Sequence, residues 1–167
     1  GFVALIIEAY LNGGKWHLVS FLIYGISLIL LYVASTLYHS FKNEKIKGYL
    51  KIFDHSAIYL LIAGNYTPFV LVPLHGVLGW SIFGIVWGMA LIGIVFKLFF
   101  AKRFKFISTI CYLIMGWFAV VMIKPLLASL PIVAIYWLLL GGVFYTIGAI
   151  TIPLLFATLS KTISYTP

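Results

Sequence analysis

Residues 18–39 read "LVSFLIYGISLILLYVASTLYH" and contain no Asp, Glu, Lys or Arg. A helix that crosses a bilayer needs about 20 predominantly apolar residues, so this stretch is long enough to span the hydrocarbon core. It lacks the alternation of apolar and polar residues that is typical of a strand in a membrane barrel. The stretch therefore predicts a transmembrane helix.

The rest of the chain repeats this pattern. Of its 167 residues, 64% are hydrophobic and only 8% are charged, whereas a soluble domain is about half apolar and a quarter charged. We predict an all-α, polytopic transmembrane helix bundle with five full spans and a partial first helix. We expect residues 1–167 to form a single integral-membrane domain, incomplete at both ends. The partial helix is predicted at residues 1–11, and the full spans at residues 18–39, 52–72, 77–100, 106–123 and 132–155.

The basic residues indicate an orientation. The net charge is +8, from 11 Lys+Arg against 3 Asp+Glu, and most of this charge falls in segments 42–51 and 97–105. The alternate loops are predicted to carry one lysine each, Lys15 and Lys124. Cytoplasmic loops collect Lys and Arg, so both basic segments and the amino terminus of the full-length protein are predicted to be cytoplasmic. Lys97 is counted here as part of the second segment.

The same charge pattern indicates the partners. Lysines at the ends of membrane spans suit anionic lipids, so membrane lipids of the cell membrane are the expected partners. The basic residues lie in two short segments and do not cover one face, which is not the pattern of a nucleic-acid-binding protein.

Four residues with chemically useful side chains flank the first basic segment. Ser35 and His39 are four residues apart, which places both on one face of a helix. Asp54 opens the next apolar run and His55 follows it. If the two helices are antiparallel neighbours, Ser35, His39 and one of Asp54 or His55 converge at the cytoplasmic side. Consecutive helical residues point about 100° apart, so only one of that pair is expected in the pocket.

The residue types leave two interpretations open. An ionisable side chain at the centre of a span costs about 2.5–3.5 kcal/mol on insertion scales, which favours a functional role. At the membrane interface the cost is small, and Asp54 would then only stabilise a helix N-terminus.

Three segments carry a family resemblance: "STLYHSF" at 35–41, "IFDHSAIYLLIAGNYTPF" at 52–69 and "GGVFYTIGAI" at 141–150. Together they resemble the hemolysin III family, the bacterial branch of the progestin and adipoQ receptor superfamily. That superfamily has seven membrane helices and is similar to membrane hydrolases that include ceramidases. The resemblance implies a zinc ion at the cytoplasmic side, bound by His39 and by two histidines spaced His-x-x-x-His on the seventh helix. It also implies catalytic roles for Ser35 and for Asp54, which would hold a water, with His55 beside them.

The end of the chain departs from this pattern. After Ile150 the sequence reads "TIPLLFATLSKTISYTP", and no histidine follows His75. A catalytic zinc takes three protein ligands and a water, so we expect this chain by itself to bind zinc weakly or not at all. An altered or truncated end, without the seventh helix, is the expected explanation.

The resemblance leaves three functions to compare. The first is a zinc-dependent hydrolase that cleaves amide or ester bonds in lipids. The second is a membrane receptor or organising protein in which the metal is structural. The third is a pore-forming cytolysin, which ranks lowest because the predicted spans are apolar nearly all round and offer no wide polar lumen.

Overall fold

The structure, a computed structural model, describes residues 2–11, 13–74, 76–100 and 105–164, with side chains for all of these except 100, 105, 106, 149 and 152–164. Every regular element in these ranges is helical, which confirms the all-α prediction. Most of the second basic segment and His75 lie outside the described residues. The elements are α1 (Phe2–Leu11), α2 (Lys15–Ser40), α3 (Glu44–Leu71), α4 (Val77–Phe100), α5 (Lys105–Trp117), a 3₁₀ helix (Phe118–Met122), α6 (Ile123–Ser129) and α7 (Ile132–Ser164).

Three helical stretches are long and apolar enough to cross a membrane, namely Lys15–Ser40, Val77–Phe99 and Ile107–Ser129. The last of them combines α5, the 3₁₀ helix and α6. Two shorter apolar helices accompany them, Phe2–Leu11 and Ile132–Gly148. Lengths of this kind match the hydrocarbon core of a bilayer, and the chain is a multi-pass membrane helix bundle.

Helix α3 lies at the centre of this bundle. It packs against α2, α4 and α5, and its residues from Tyr59 to Leu71 contribute a large part of the buried core. It is not among the three long apolar helices, and two of its polar side chains, Ser56 and Thr67, are buried. A helix that meets protein on most sides does not need a lipid-compatible surface all round. Its polar groups can instead find partners inside the bundle.

The first basic segment is a helix and not the predicted loop. Helix α3 already begins at Glu44, because the Oδ1 of Asn43 accepts hydrogen bonds from the backbone N of Lys45 at 3.0 Å and of Ile46 at 3.4 Å. Asp54 therefore lies about ten residues, or about 15 Å, from the start of its helix. The interpretation in which Asp54 stabilises a helix N-terminus is wrong, since the charge of a helix end acts only within the first turn.

The predicted break at Lys124 is also wrong. The helical stretch that starts with α5 continues through Lys124 to Ser129, and the chain leaves helical geometry at Leu130. Pro125 is tolerated there because it falls in the first turn of α6, where a backbone N–H has no partner within the helix in any case.

The change from α5 to the 3₁₀ helix is stabilised from α3. The Tyr66 hydroxyl shares its one proton between the carbonyl oxygens of Met115 at 2.9 Å and Gly116 at 2.6 Å, and accepts from the backbone N of Ala119 at 2.7 Å. These backbone groups lie where the α-helical hydrogen-bonding pattern of α5 changes to that of the 3₁₀ helix. In hydrocarbon such groups must be satisfied by protein, and Tyr66 satisfies them.

Candidate functional site

The four predicted site residues lie towards one end of the bundle. We call it the basic end: the end where α2 stops and α3 begins, and where α4 stops and α5 begins. The sequence places its two lysine-rich segments there.

The packing of α2 on α3 sets the relative heights of Ser35 and Asp54. Gly64 of α3 lies directly against Ser27 and Tyr24 of α2, so closely that a methyl group on Gly64 would collide with the Ser27 hydroxyl. The helices are antiparallel and each rises about 1.5 Å per residue. From this contact towards the basic end, Asp54 is ten residues away on α3, whereas Ser35 and His39 are eight and twelve residues beyond Ser27 on α2. Asp54 therefore lies at a height between Ser35 and His39, about 3 Å from each along the bundle.

Asp54 and His55 form a pair on α3. The Asp54 Oδ2 and the His55 Nδ1 are 3.5 Å apart, and the two side chains are 15% and 31% exposed. The Nδ1 atom itself is buried and has no hydrogen-bond partner. A carboxylate beside an imidazole is an acid–base pair that can exchange a proton with a bound water or substrate. The structure places the two side chains next to each other, and the prediction that only one of them faces the pocket stays a prediction.

His39 occupies a different environment. It lies in the last turn of α2 and is exposed, and its ring stands edge-on to that of Tyr38 with centroids 4.8 Å apart. Four residues beyond Ser35, it is about 6 Å closer to the basic end. Among the described residues no hydrogen bond or ion pair joins His39 or Ser35 to Asp54 or His55.

The described residues do not assemble a metal site. No group of three or more His, Cys, Asp or Glu side chains in the described part of the chain comes together in a way that could hold a metal ion. A catalytic zinc needs three protein ligands. The side chains present here therefore do not by themselves fit the zinc ion that the resemblance implies.

The structure adds one cation that sequence reasoning assigned elsewhere. Lys97 was counted with the second basic segment, but its side chain is only 5% exposed, and its Nζ donates to the Oγ of Ser108 at 3.1 Å. The sequence could have indicated this burial, because Lys97 lies inside the apolar run "GIVFKLFF", three residues before α4 ends.

Two tyrosines connect this region to α5 and α7. The Tyr112 hydroxyl of α5 donates to the backbone carbonyl of His55 at 2.8 Å, and the Tyr145 hydroxyl of α7 donates to the carbonyl of Tyr112 at 2.8 Å. Because the carbonyl of His55 belongs to the residue paired with Asp54, these bonds fix the backbone beneath the pair.

An apolar cavity lies further along the bundle. It has a volume of about 630 Å³ and lies between α3, the stretch from α5 to α6, and α7. Ligand cavities are usually about 300–1,000 Å³ in size and mostly apolar. Its lining residues include Ile62, Asn65, Tyr66, Phe69, Trp137 and Tyr145.

Comparison with known proteins gives the family. The family described as "Haemolysin-III related" matches residues 1–157, which is nearly the whole chain. This chain belongs to the haemolysin III family. The predicted resemblance is confirmed.

Several relatives of this haemolysin III family member are similar over most of its length. The chain is 54% identical over 148 residues to the "Hemolysin-3 homolog" of Bacillus subtilis (strain 168), which covers 89% of this chain and 70% of that protein. It is 50% identical over 148 residues to "Hemolysin-3" of Bacillus cereus, covering 89% and 68%. The human "Monocyte to macrophage differentiation factor" is 25% identical over 145 residues, covering 84% of this chain and 60% of that protein. No solved structure matches the chain significantly.

Proposed function

We propose that this haemolysin III family member acts as a membrane hydrolase on an amide or ester bond of a lipid, with Asp54 as the residue that holds and deprotonates the attacking water. The observation that carries the proposal is the half-buried pair of Asp54 and His55 inside an apolar bundle. A carboxylate is costly in such surroundings, and in membrane proteins an ionisable residue of this kind marks a functional site by default.

The chemistry follows from the side chains. The Asp54 carboxylate would accept a proton from a water as the water attacks the carbonyl carbon, and His55 at 3.5 Å would steady that carboxylate. Ser35, within about one helical turn of that height on α2, would donate a hydrogen bond to the oxyanion that develops on the carbonyl oxygen. Collapse of this intermediate would break the bond to the amine or alcohol, which leaves with the proton that Asp54 had accepted. The apolar cavity of about 630 Å³ offers a lipid-compatible place for an acyl chain.

Zinc enters this proposal only as an expectation of the family. The resemblance assigns His39 as one ligand, and zinc would polarise the carbonyl when bound. Because the described side chains form no group of three ligands, no step above depends on the metal. We propose that this chain alone binds zinc weakly or not at all.

We further propose that the protein resides in the cell membrane with its basic end in the cytoplasm. Support comes from the concentration of Lys in the segment that begins α3, since such segments remain on the cytoplasmic side. The amino terminus of the full-length protein would then also be cytoplasmic.

The test is lipid hydrolysis by the purified protein in vesicles that contain an N-acyl lipid and a diacyl phospholipid, with released fatty acid as the readout. Asp54→Asn should reduce the rate by about 10²–10⁴-fold, the usual contribution of a general base. Glu44→Gln is the matched control, because it removes the same charge from an exposed position on the same helix. If the wild-type protein releases no fatty acid, or if the two variants behave alike, the proposed hydrolase is wrong.

Lysis of membranes is a second candidate, supported by the names of the two Bacillus relatives. A pore would need a polar lumen, whereas the polar side chains Ser56 and Thr67 of α3 are packed inside the bundle. Single-channel recording on the same vesicles tests this function, and discrete conductance steps would favour it over hydrolysis.

A further inference from the structure

Lys97 is a buried cation that forms no ion pair with a carboxylate among the described residues. Its side chain is 5% exposed, and its Nζ donates to the neutral hydroxyl of Ser108 at 3.1 Å. Among the ion pairs of the described residues, none joins Lys97 to a carboxylate. Burial of an ammonium is costly unless an anion compensates it. Its surroundings therefore favour the binding of an anion.

Two hydroxyl groups on α3 lack hydrogen-bond partners in the same region. Tyr59 is 1% exposed and Ser56 is 8% exposed, yet neither the Tyr59 Oη nor the Ser56 Oγ has a hydrogen-bond partner. The Tyr59 hydroxyl lies beside the side chains of Cys111 and Ser108 without a well-formed bond to either. Buried donors that stay unpaired are rare and costly. Both hydroxyls can donate to an acceptor that enters from outside the chain.

The packing places Tyr59 about one helical turn from Lys97. A methyl group on Gly93 would collide with the Tyr59 ring, and Lys97 follows Gly93 by one turn on the same face of α4. The Tyr59 and Tyr112 rings lie 4.4 Å apart, and Ser108 precedes Tyr112 by one turn on α5. Because α4 runs towards the basic end and α5 runs away from it, Lys97 and Ser108 both lie on the basic-end side of Tyr59.

The depth of this cluster suits a lipid headgroup. Lys97 lies three residues before the end of α4, and Ser108 lies three residues after the start of α5. Each is therefore about 4.5 Å from the end of its helix. A lysine side chain is long enough to span such a distance to the interface, where the phosphates of the membrane lie.

We propose that Lys97, Ser108 and Tyr59, with Ser56 one turn away, bind the phosphate group of an anionic lipid from the leaflet at the basic end. The ammonium supplies the charge and keeps two N–H donors beyond the one given to Ser108, and the unpaired hydroxyls supply neutral donors. Charge-assisted bonds of this type are the strong ones. The site does not depend on the proposed hydrolysis, because binding alone is claimed.

The test measures thermal unfolding of the detergent-solubilised chain with added phosphatidylglycerol, phosphatidylcholine or inorganic phosphate. Phosphatidylglycerol should raise the unfolding temperature, and phosphatidylcholine should raise it less. Lys97→Met should weaken the apparent affinity for phosphatidylglycerol by about tenfold or more, the value of a hydrogen bond to a charged group. Lys45→Met, which removes an exposed lysine at the same end, should leave the affinity unchanged.

Tyr59→Phe provides a second, milder variant. It should weaken phosphatidylglycerol binding by roughly two- to tenfold, the value of a neutral hydrogen bond, without lowering the unfolding temperature in the absence of lipid. Equal losses in Lys97→Met and Lys45→Met would overturn the proposal, because the effect would then be general attraction between charges. A Lys97-dependent shift of equal size with inorganic phosphate would overturn the lipid as the source of the phosphate.

Discussion

The polar side chains towards the two ends of α3 differ in whether they have hydrogen-bond partners. In the half away from the basic end, Tyr66 makes hydrogen bonds to three backbone groups, and Thr67 donates to the Ala63 carbonyl at 2.9 Å and accepts from the Trp87 Nε1 at 3.2 Å. Nearer the basic end, up to Tyr59 just past the middle of the helix, the Ser56 Oγ and the Tyr59 Oη are buried without a hydrogen-bond partner, and the His55 Nδ1 has only the Asp54 carboxylate at 3.5 Å.

This difference separates structural polar groups from groups available to a ligand. Both halves belong to one helix at the centre of the bundle, so burial alone does not distinguish them. A buried hydroxyl that is fully bonded holds helices together, and its removal leaves other groups unsatisfied. A buried hydroxyl without a partner makes no hydrogen bond that holds the helices together, and a ligand that completes it would explain its presence.

The largest effect is expected from side-specific labelling at the start of α3 and at the start of α4, which lie at opposite ends of the bundle. With Cys111 replaced by Ala, a cysteine at Lys45 should react only from the cytoplasmic side of sealed vesicles, and one at Val77 only from the other side. Val77 is chosen because it is 86% exposed, while the neighbouring Gly76 has a φ of 97° that disfavours any other residue. Labelling of both cysteines from one side would contradict the assignment of the basic end to the cytoplasm.

A second measurement compares the two tyrosines of α3 directly. Tyr66→Phe should lower the free energy of unfolding by about 1–3 kcal/mol, because it strands the backbone groups at the start of the 3₁₀ helix. Tyr59→Phe should change it by less than about 0.5 kcal/mol, since its hydroxyl has no partner to lose. Unfolding titrations in mixed micelles give both values. Equal losses of unfolding free energy in Tyr66→Phe and Tyr59→Phe would contradict the distinction between bonded and unbonded polar groups on α3.

The smallest effect concerns zinc. The purified 167-residue chain should contain less than one equivalent of zinc by elemental analysis, and His39→Ala should not change that content, because the described residues hold no group of three ligands. A chain extended by a helix with two histidines four residues apart should gain zinc, since that spacing puts both on one face. Stoichiometric zinc in the unextended chain, lost on His39→Ala, would show that Asp54 or His55 serves as a ligand.

The helical fold was predictable because a membrane span is recognisable from its own residues alone. A run such as residues 18–39 can satisfy its backbone in lipid only as a helix, so the class follows without knowledge of any neighbour. The ends of the helices were less predictable. Asn43 caps α3 about two and a half turns before the apolar run that starts at residue 52, and α6 carries Lys124 inside a helix, because caps and short polar turns continue a helix past the hydrophobic boundary.

The candidate site was predictable in part. Asp54 and His55 stand out in an apolar chain because each is costly there, and the sequence alone marked them. Lys97 was misassigned, because a lysine near the end of a span reads as an interfacial residue that reaches towards water.

The sequence by itself determined that this chain is a membrane helix bundle with a basic end and a few ionisable residues near it, because hydrophobic length and charge act residue by residue. Tertiary structure decided which polar groups are paired. Lys97 turns inward because Ser108 of α5 lies 3.1 Å away, and Tyr66 is satisfied because the α5 backbone changes its helical geometry against it. Partners such as these come from other helices, so no property of a single segment reveals them.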